Sequence, residues 1–125
     1  MLRLGKEKES VNVVDDQVGV PTYTKDLAEA IIKLIEADLQ IDSEKNIFHF
    51  SNSGVSNWYE FAKEIMKEAE LDCVVNPIPS SSFPTAAQRP KYSTLNSEKI
   101  ENLLKIKIRP WQEALKDCIN TIKEA

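Results

Sequence analysis

The strongest constraint on this chain is a change of hydrophobic period that recurs along it: a short β-branched run, a polar loop, then apolar residues spaced three and four apart. Apolar residues in a short bounded run mark a strand, and a period of 3.6 marks an amphipathic helix. Val11-Asn12-Val13-Val14 runs into Asp15-Asp16-Gln17 and reads as a buried strand entering a polar loop. After Gly19 and Pro21, residues Leu27, Ala28, Ile31, Leu34 and Ile35 share one face of a helix over 26–36, with Thr24 placed to cap it. Ile47-Phe48-His49-Phe50 reads as the second strand, followed by Ser51-Asn52-Ser53-Gly54. Asn57 and Glu60 stand at capping-box spacing. The helix they open, over 58–70, carries Trp58, Phe61, Ala62, Ile65, Met66 and Ala69 on one stripe. Cys73-Val74-Val75 starts a third strand that Pro77 and Pro79 restrict to a short or edge position, because proline removes a ladder donor. Helices over 98–104 and 111–123 follow, the last opened by Pro110.

Strands alternating with helices imply an α/β fold with few short strands and about four helices. Trp58, Phe61, Ile65, Trp111 and Leu115 are expected to be mainly buried. A chain of 125 residues suits a single domain, 1–125, with a real core. Three strands are few to cover with four helices, and Met1-Leu2-Arg3-Leu4 reads as the end of a helix. Both features suit part of a larger body, whose sheet continues elsewhere. The alternative is a small complete α+β domain.

Charge and hydropathy narrow the function. A net charge of -4, with basic residues scattered along helices, argues against a nucleic-acid partner. No apolar run approaches the ~20 residues of a membrane span, and the N-terminus lacks the apolar core of a signal peptide. Cys73 and Cys118, each on an apolar stretch, are expected as reduced core thiols of a cytoplasmic protein.

Tests for chemistry mostly exclude. A dinucleotide or phosphate loop needs clustered glycines at a helix start, whereas Gly5, Gly19 and Gly54 are far apart. One histidine and two distant cysteines make no metal set. His49, inside an apolar run, is expected to be packed or hydrogen-bonded. Tyr59 and Lys63 match the Y-x-x-x-K spacing that sets a tyrosine beside a lysine on a helix. They lie at the edge of the apolar stripe with no coenzyme loop upstream, and read as a chance surface match. Three polar loops stand out instead: 16–22 and 51–54, each joining a strand end to a helix start where ligands of open α/β sheets bind, and Ala87-Gln88-Arg89-Pro90. An arginine with its backbone restricted by a following proline suits a diphosphate, whose oxygens accept two parallel hydrogen bonds from the guanidinium.

Taken in order, these segments resemble one family. Asp16-Gln17-Val18-Gly19-Val20-Pro21-Thr22, continuing to Asp26-Leu27-Ala28, is similar to the DQ-x-G-x-PT…DLA segment of dTDP-4-dehydrorhamnose reductases, members of the extended short-chain dehydrogenase/reductase superfamily. The similarity continues through Phe48-His49-Phe50-Ser51-Asn52, Trp58-Tyr59-Glu60-Phe61-Ala62, Gln88-Arg89-Pro90, Ser93-Thr94-Leu95-Asn96 and Pro110-Trp111-Gln112-Glu113-Ala114-Leu115. It departs at Asn96, where an aspartate is common, and at Tyr92. The resemblance implies the C-terminal, sugar-nucleotide-binding lobe of an extended Rossmann-type reductase. That enzyme reduces dTDP-4-dehydro-β-L-rhamnose to dTDP-L-rhamnose with NADPH or NADH, in polysaccharide precursor synthesis. The coenzyme, the Gly-rich loop and the catalytic tyrosine and lysine belong to an N-terminal half without counterpart here, so neither a catalytic residue nor a bound cofactor is expected on this chain. By the same resemblance Arg89 contacts the substrate diphosphate, and Gln17, Pro21 and Thr22 line the same cleft. The expected partners are the dTDP-sugar and the coenzyme-binding half, with self-association through surface left uncovered. Rival readings are a regulatory dinucleotide-binding subunit like the β subunit of methionine adenosyltransferase, another nucleotide-sugar reductase or epimerase, and a free-standing interaction domain.

Overall fold

A computed structural model describes residues 1–37 and 47–124. In chain order they form α1 (Leu2–Glu7), β1 (Ser10–Val14), β2 (Val18–Gly19), α2 (Thr24–Glu36), β3 (Ser56–Asn57), α3 (Trp58–Glu68), β4 (Val74–Ile78), a 3-10 turn (Ser80–Ser82), α4 (Glu98–Leu104) and α5 (Trp111–Glu124). The mixed α/β class is as expected.

β1 and β4 run parallel, with Ser10 opposite Val74 and Val14 opposite Ile78. Contrary to expectation, β4 passes through Pro77 instead of breaking before it. The Val74 amide donates to the Glu9 carbonyl at 2.8 Å, so by strand alternation the nitrogen of residue 77 points away from β1. Pro77 therefore removes no ladder bond, and the edge position foreseen for this strand is what accommodates it. β2 and β3 are two-residue strands paired antiparallel, Val18 with Asn57 and Gly19 with Ser56.

Two apolar clusters hold the helices. Ile65 of α3 meets Trp111, Leu115 and Ile119 of α5, flanked by Leu2, Val20, Phe61 and Ala69. Phe61 packs edge-on against Trp111 with ring centroids 5.9 Å apart. In the second cluster Ala30 of α2 meets Ile100 of α4 and Ile108, with Leu34, Phe48, Phe50 and Leu104 around them. α1 lies close on α3: a Cβ on Gly5 would come within 2.6 Å of the Met66 sulfur.

Several expectations are corrected. Residues 47–50 alternate in burial as a strand would, Phe48 and Phe50 inward, yet they form no ladder with another described segment and His49 is exposed. Lys99 reaches across this segment, donating to the Ile47 carbonyl at 2.9 Å and standing over the Phe48 ring. α2 begins at Thr24 and its cap position is Tyr23 rather than Thr24. Its inward line is Leu27, Ala30 and Leu34, whereas Ala28, Ile31 and Ile35 are exposed. Trp58 is 51% exposed instead of buried, and Phe61 is half-buried. Ile65, Trp111 and Leu115 are buried as foreseen. α3 carries the predicted cap: the Glu60 amide donates to Asn57 Oδ1 at 2.8 Å. It ends at Glu68, with Glu70 left-handed at φ 57 and the Leu71 amide donating to the Met66 carbonyl at 2.9 Å.

Candidate functional site

The residue at the centre of the candidate site is Val18. On one side it pairs with Asn57 of β3. On the other it bridges to Tyr92, its amide donating to the Lys91 carbonyl at 2.8 Å and its carbonyl accepting from the Ser93 amide at 2.9 Å. The Ser93 hydroxyl adds a second bond to that carbonyl at 3.1 Å. Further upstream the other end of the long loop is tied to residue 16. The Ser80 amide and hydroxyl donate to the Asp16 carboxylate at 3.0 and 2.8 Å. Three segments distant in sequence are thereby fixed around β2.

Between them lies a cleft of about 460 Å³ lined by Gln17, Val18, Gly19, Val20, Pro21 and Thr22 on one wall, by Ser56, Asn57, Trp58 and Phe61 on a second, and by Arg89, Pro90 and Ser93 on a third. The structure thus brings Gln17, Pro21, Thr22 and Arg89 together. Among the described lining residues Arg89 carries the only charge, and it makes no ion pair with a described residue. An exposed guanidinium at the mouth of a cleft of neutral hydroxyls, amides and two aromatic rings suits an anion that also presents an apolar or ring surface. Trp58 and Phe61 were missed as site residues, because helical spacing assigned both to the core.

The chain has a second Arg-Pro pair, and its role differs. Arg109 donates from Nε and Nη2 to the two oxygens of Asp26 at 2.9 and 2.6 Å, and from Nη2 to Asp117 at 2.9 Å. The Asn52 amide, 1% exposed, donates to Asp26 at 2.6 Å, while its oxygen accepts from the Tyr23 amide at 2.8 Å. Hydrogen bonding from Arg109, helped by Asn52 and opposed by desolvation, holds the Asp26 carboxyl below its ordinary range; the same bonds raise Arg109. This network joins α2, the loop at 51–54 and the start of α5. The loop also pairs with the chain before α5, the Ser53 amide donating to the Arg109 carbonyl at 3.0 Å and the Trp111 amide to the Ser53 carbonyl at 3.0 Å. Asn52, singled out above as a ligand-loop residue, is engaged internally. No sequence signal marked Arg109, whose partner Asp26 is 83 positions away.

Tyr59 and Lys63 do not line the cleft; the Lys63 ammonium sits over the Tyr59 ring, 5.8 Å from its centroid. The three glycines face this chain's own atoms. Added Cβ atoms would meet Met66 at 2.6 Å from Gly5, Ser93 at 2.9 Å from Gly19, and Trp111 at 3.2 Å from Gly54. Each is used for internal close approach or, at Gly54 with φ +97, for a left-handed turn. These residues do not fit a dinucleotide cradle. Cys73 and Cys118 are free thiols. Among the described residues no His, Cys, Asp and Glu side chains group as a metal set, and no helix is long and apolar enough to cross a membrane.

Comparison with known proteins identifies the family and the fold. Residues 1–124 match the family described as the RmlD substrate binding domain. The spore coat polysaccharide biosynthesis protein SpsK of Bacillus subtilis (strain 168) is 43% identical over 119 residues, which cover 95% of this chain and 40% of that protein. A dTDP-4-dehydrorhamnose reductase of Aggregatibacter actinomycetemcomitans is 38% identical over 124 residues, covering 94% of this chain and 42% of the relative. Among solved structures, a dTDP-4-dehydrorhamnose reductase from Clostridium acetobutylicum superposes with a TM-score of 0.86 at 39% identity, covering 98% of this chain and 42% of that one. Another, from Bacillus anthracis in complex with NADP, gives 0.85 at 38% identity, covering 99% and 41%. The chain spans 40–42% of the length of these relatives and corresponds to their C-terminal part. By sequence and by fold, it belongs to the RmlD substrate binding domain family.

Proposed function

We propose that this chain is the sugar-nucleotide-binding portion of an NAD(P)H-dependent dTDP-4-dehydrorhamnose reductase and works with a separate coenzyme-binding portion. The observation that carries the reading is the convergence of Gln17, Pro21, Thr22 and Arg89 on one cleft whose described lining has no other charge. In this role the Arg89 guanidinium holds the diphosphate by paired charge-assisted hydrogen bonds, and Gln17 and Thr22 supply neutral polar contacts. Pro21 stiffens the wall between them.

The coenzyme and the catalytic tyrosine and lysine are assigned to the other portion. In support, the glycines here serve internal packing, and Tyr59 lies outside the cleft lining. A two-stranded parallel sheet is small for independent stability, which favours continuation of the sheet beside β1, since Pro77 leaves the outer side of β4 short of a donor. Self-association through an uncovered edge belongs to the same reading, as does a cytoplasmic setting among soluble biosynthetic enzymes. The test is NADPH consumption on dTDP-4-dehydro-β-L-rhamnose by the full protein carrying this chain. Arg89→Ala should raise KM for the sugar nucleotide with little change in KM for NADPH. Unchanged sugar-nucleotide kinetics would remove Arg89 from the site.

A further inference from the structure

We infer that Trp58 is the base-stacking platform of the cleft, so that the site grips a nucleoside diphosphate by two handles: the Arg89 guanidinium on the phosphates and the Trp58 indole on the base. This rests on the reading of the cleft as a nucleotide-sugar site and adds the residue that selects for the base. Trp58 stands on the buried stripe of α3, where Ala62, Ile65 and Met66 are 2%, 7% and 3% exposed, yet it is 51% exposed itself. It extends the stripe one turn past the end of the core and lines the cleft opposite the loop that carries Arg89. The other tryptophan, Trp111, is 5% exposed, so half-exposure is a property of this position and not of the residue type in this fold.

Both handles hang from Val18. Trp58 follows Asn57, which pairs with Val18 on one side and caps α3 through its side chain. Arg89 precedes Lys91, whose carbonyl accepts from the Val18 amide on the other side. Strands lie ~4.8 Å apart, so the two backbones stand roughly 10 Å apart across β2. That is a span suited to the base and the diphosphate of one nucleotide. The charge pattern selects the ring. An indole face attracts cations as well as bases, but the described lining has no carboxylate and carries the Arg89 charge, which disfavours a cationic ligand. Base–aromatic stacking tolerates any planar base, so Trp58 sets preference for a nucleotide over a bare diphosphate.

The experiment is calorimetric titration of the full protein carrying this chain with dTDP and, separately, with inorganic pyrophosphate. Trp58→Ala should weaken dTDP binding by about tenfold or more, the scale of losing one stacked base. Trp58→Phe should recover most of that affinity, and both variants should bind pyrophosphate as the wild type does. Arg89→Ala should weaken both ligands. Wild-type affinity for dTDP in Trp58→Ala, with Arg89→Ala still impaired, overturns the stacking role and leaves the cleft assignment standing. A Trp58→Ala variant that loses pyrophosphate equally also overturns it, since the effect would then be structural. Arg89→Ala binding both ligands normally, or wild-type protein showing no saturable dTDP binding, defeats the site assignment itself.

Discussion

Replacing Asp26 with alanine removes the acceptor on which three strong hydrogen bonds converge: two from Arg109 at 2.9 and 2.6 Å and one from Asn52 at 2.6 Å. Bonds to a charged group contribute about 1.5–3 kcal/mol each in net terms. The Asp26 side chain is 13% exposed and that of Arg109 33%, so solvent screens the Arg109 pair and the terms do not simply add. Asn52, nearly fully buried, keeps the weaker 3.4 Å bond to the Arg109 carbonyl. The net loss should be about 3 kcal/mol, or a fall in Tm of roughly 10 °C for a domain of this size. Urea unfolding followed by circular dichroism measures it, and a cycle with Arg109→Ala should show coupling of about 1–2 kcal/mol. The effect depends on pH with a definite sign. Asp26 is held below its ordinary value in the folded chain, so the unfolded chain binds the proton more tightly and acid favours unfolding. The contribution is complete above the unfolded carboxyl value of ~3.9 and is lost as pH falls through the lower folded value. A loss under about 0.5 kcal/mol at neutral pH, or an equal loss at pH 2 and pH 7, refutes the reasoning.

Three further outcomes follow from particular residues. Arg89→Lys should recover only part of the nucleotide-sugar affinity lost in Arg89→Ala, about 1.5–3 kcal/mol by calorimetry, because an ammonium cannot donate the paired bonds. Asn57→Ala should cost about 1 kcal/mol in urea unfolding by removing the α3 cap, and should loosen the wall that carries Trp58. Glu70→Gly should raise stability by about 0.5–1 kcal/mol, since residue 70 is left-handed at φ 57 and its bond to Lys123 is too exposed to offset the gain.

The sequence made the helices and β1 legible because each carries a local signal: an apolar stripe, a cap residue, a proline at a start. It misled where the outcome depends on a neighbouring backbone. Residues 47–50 show the alternation of a strand, and Phe48 and Phe50 do turn inward, but among the described residues no strand lies beside them to complete a ladder. Trp58 keeps the helical spacing of a core residue, and only the position of α3 relative to β2 shows that the core ends before it. Arg89 and Arg109 look alike locally, each followed by proline. One lines a cleft without an ionic partner among the described residues, and the other is held by Asp26 and Asp117 across the fold. The resemblance pointed to Gln17, Pro21, Thr22 and Arg89, whereas their convergence needed the pairing of Val18 with both Asn57 and Tyr92.

The most direct test of the central claim is side-by-side calorimetry of the purified chain with dTDP-L-rhamnose and with NADPH. The expected result is saturable binding of the sugar nucleotide that Arg89→Ala weakens, and no measurable binding of the coenzyme. Coenzyme binding at micromolar concentration, with no response to the sugar nucleotide, would contradict it and favour a dinucleotide-binding regulatory role.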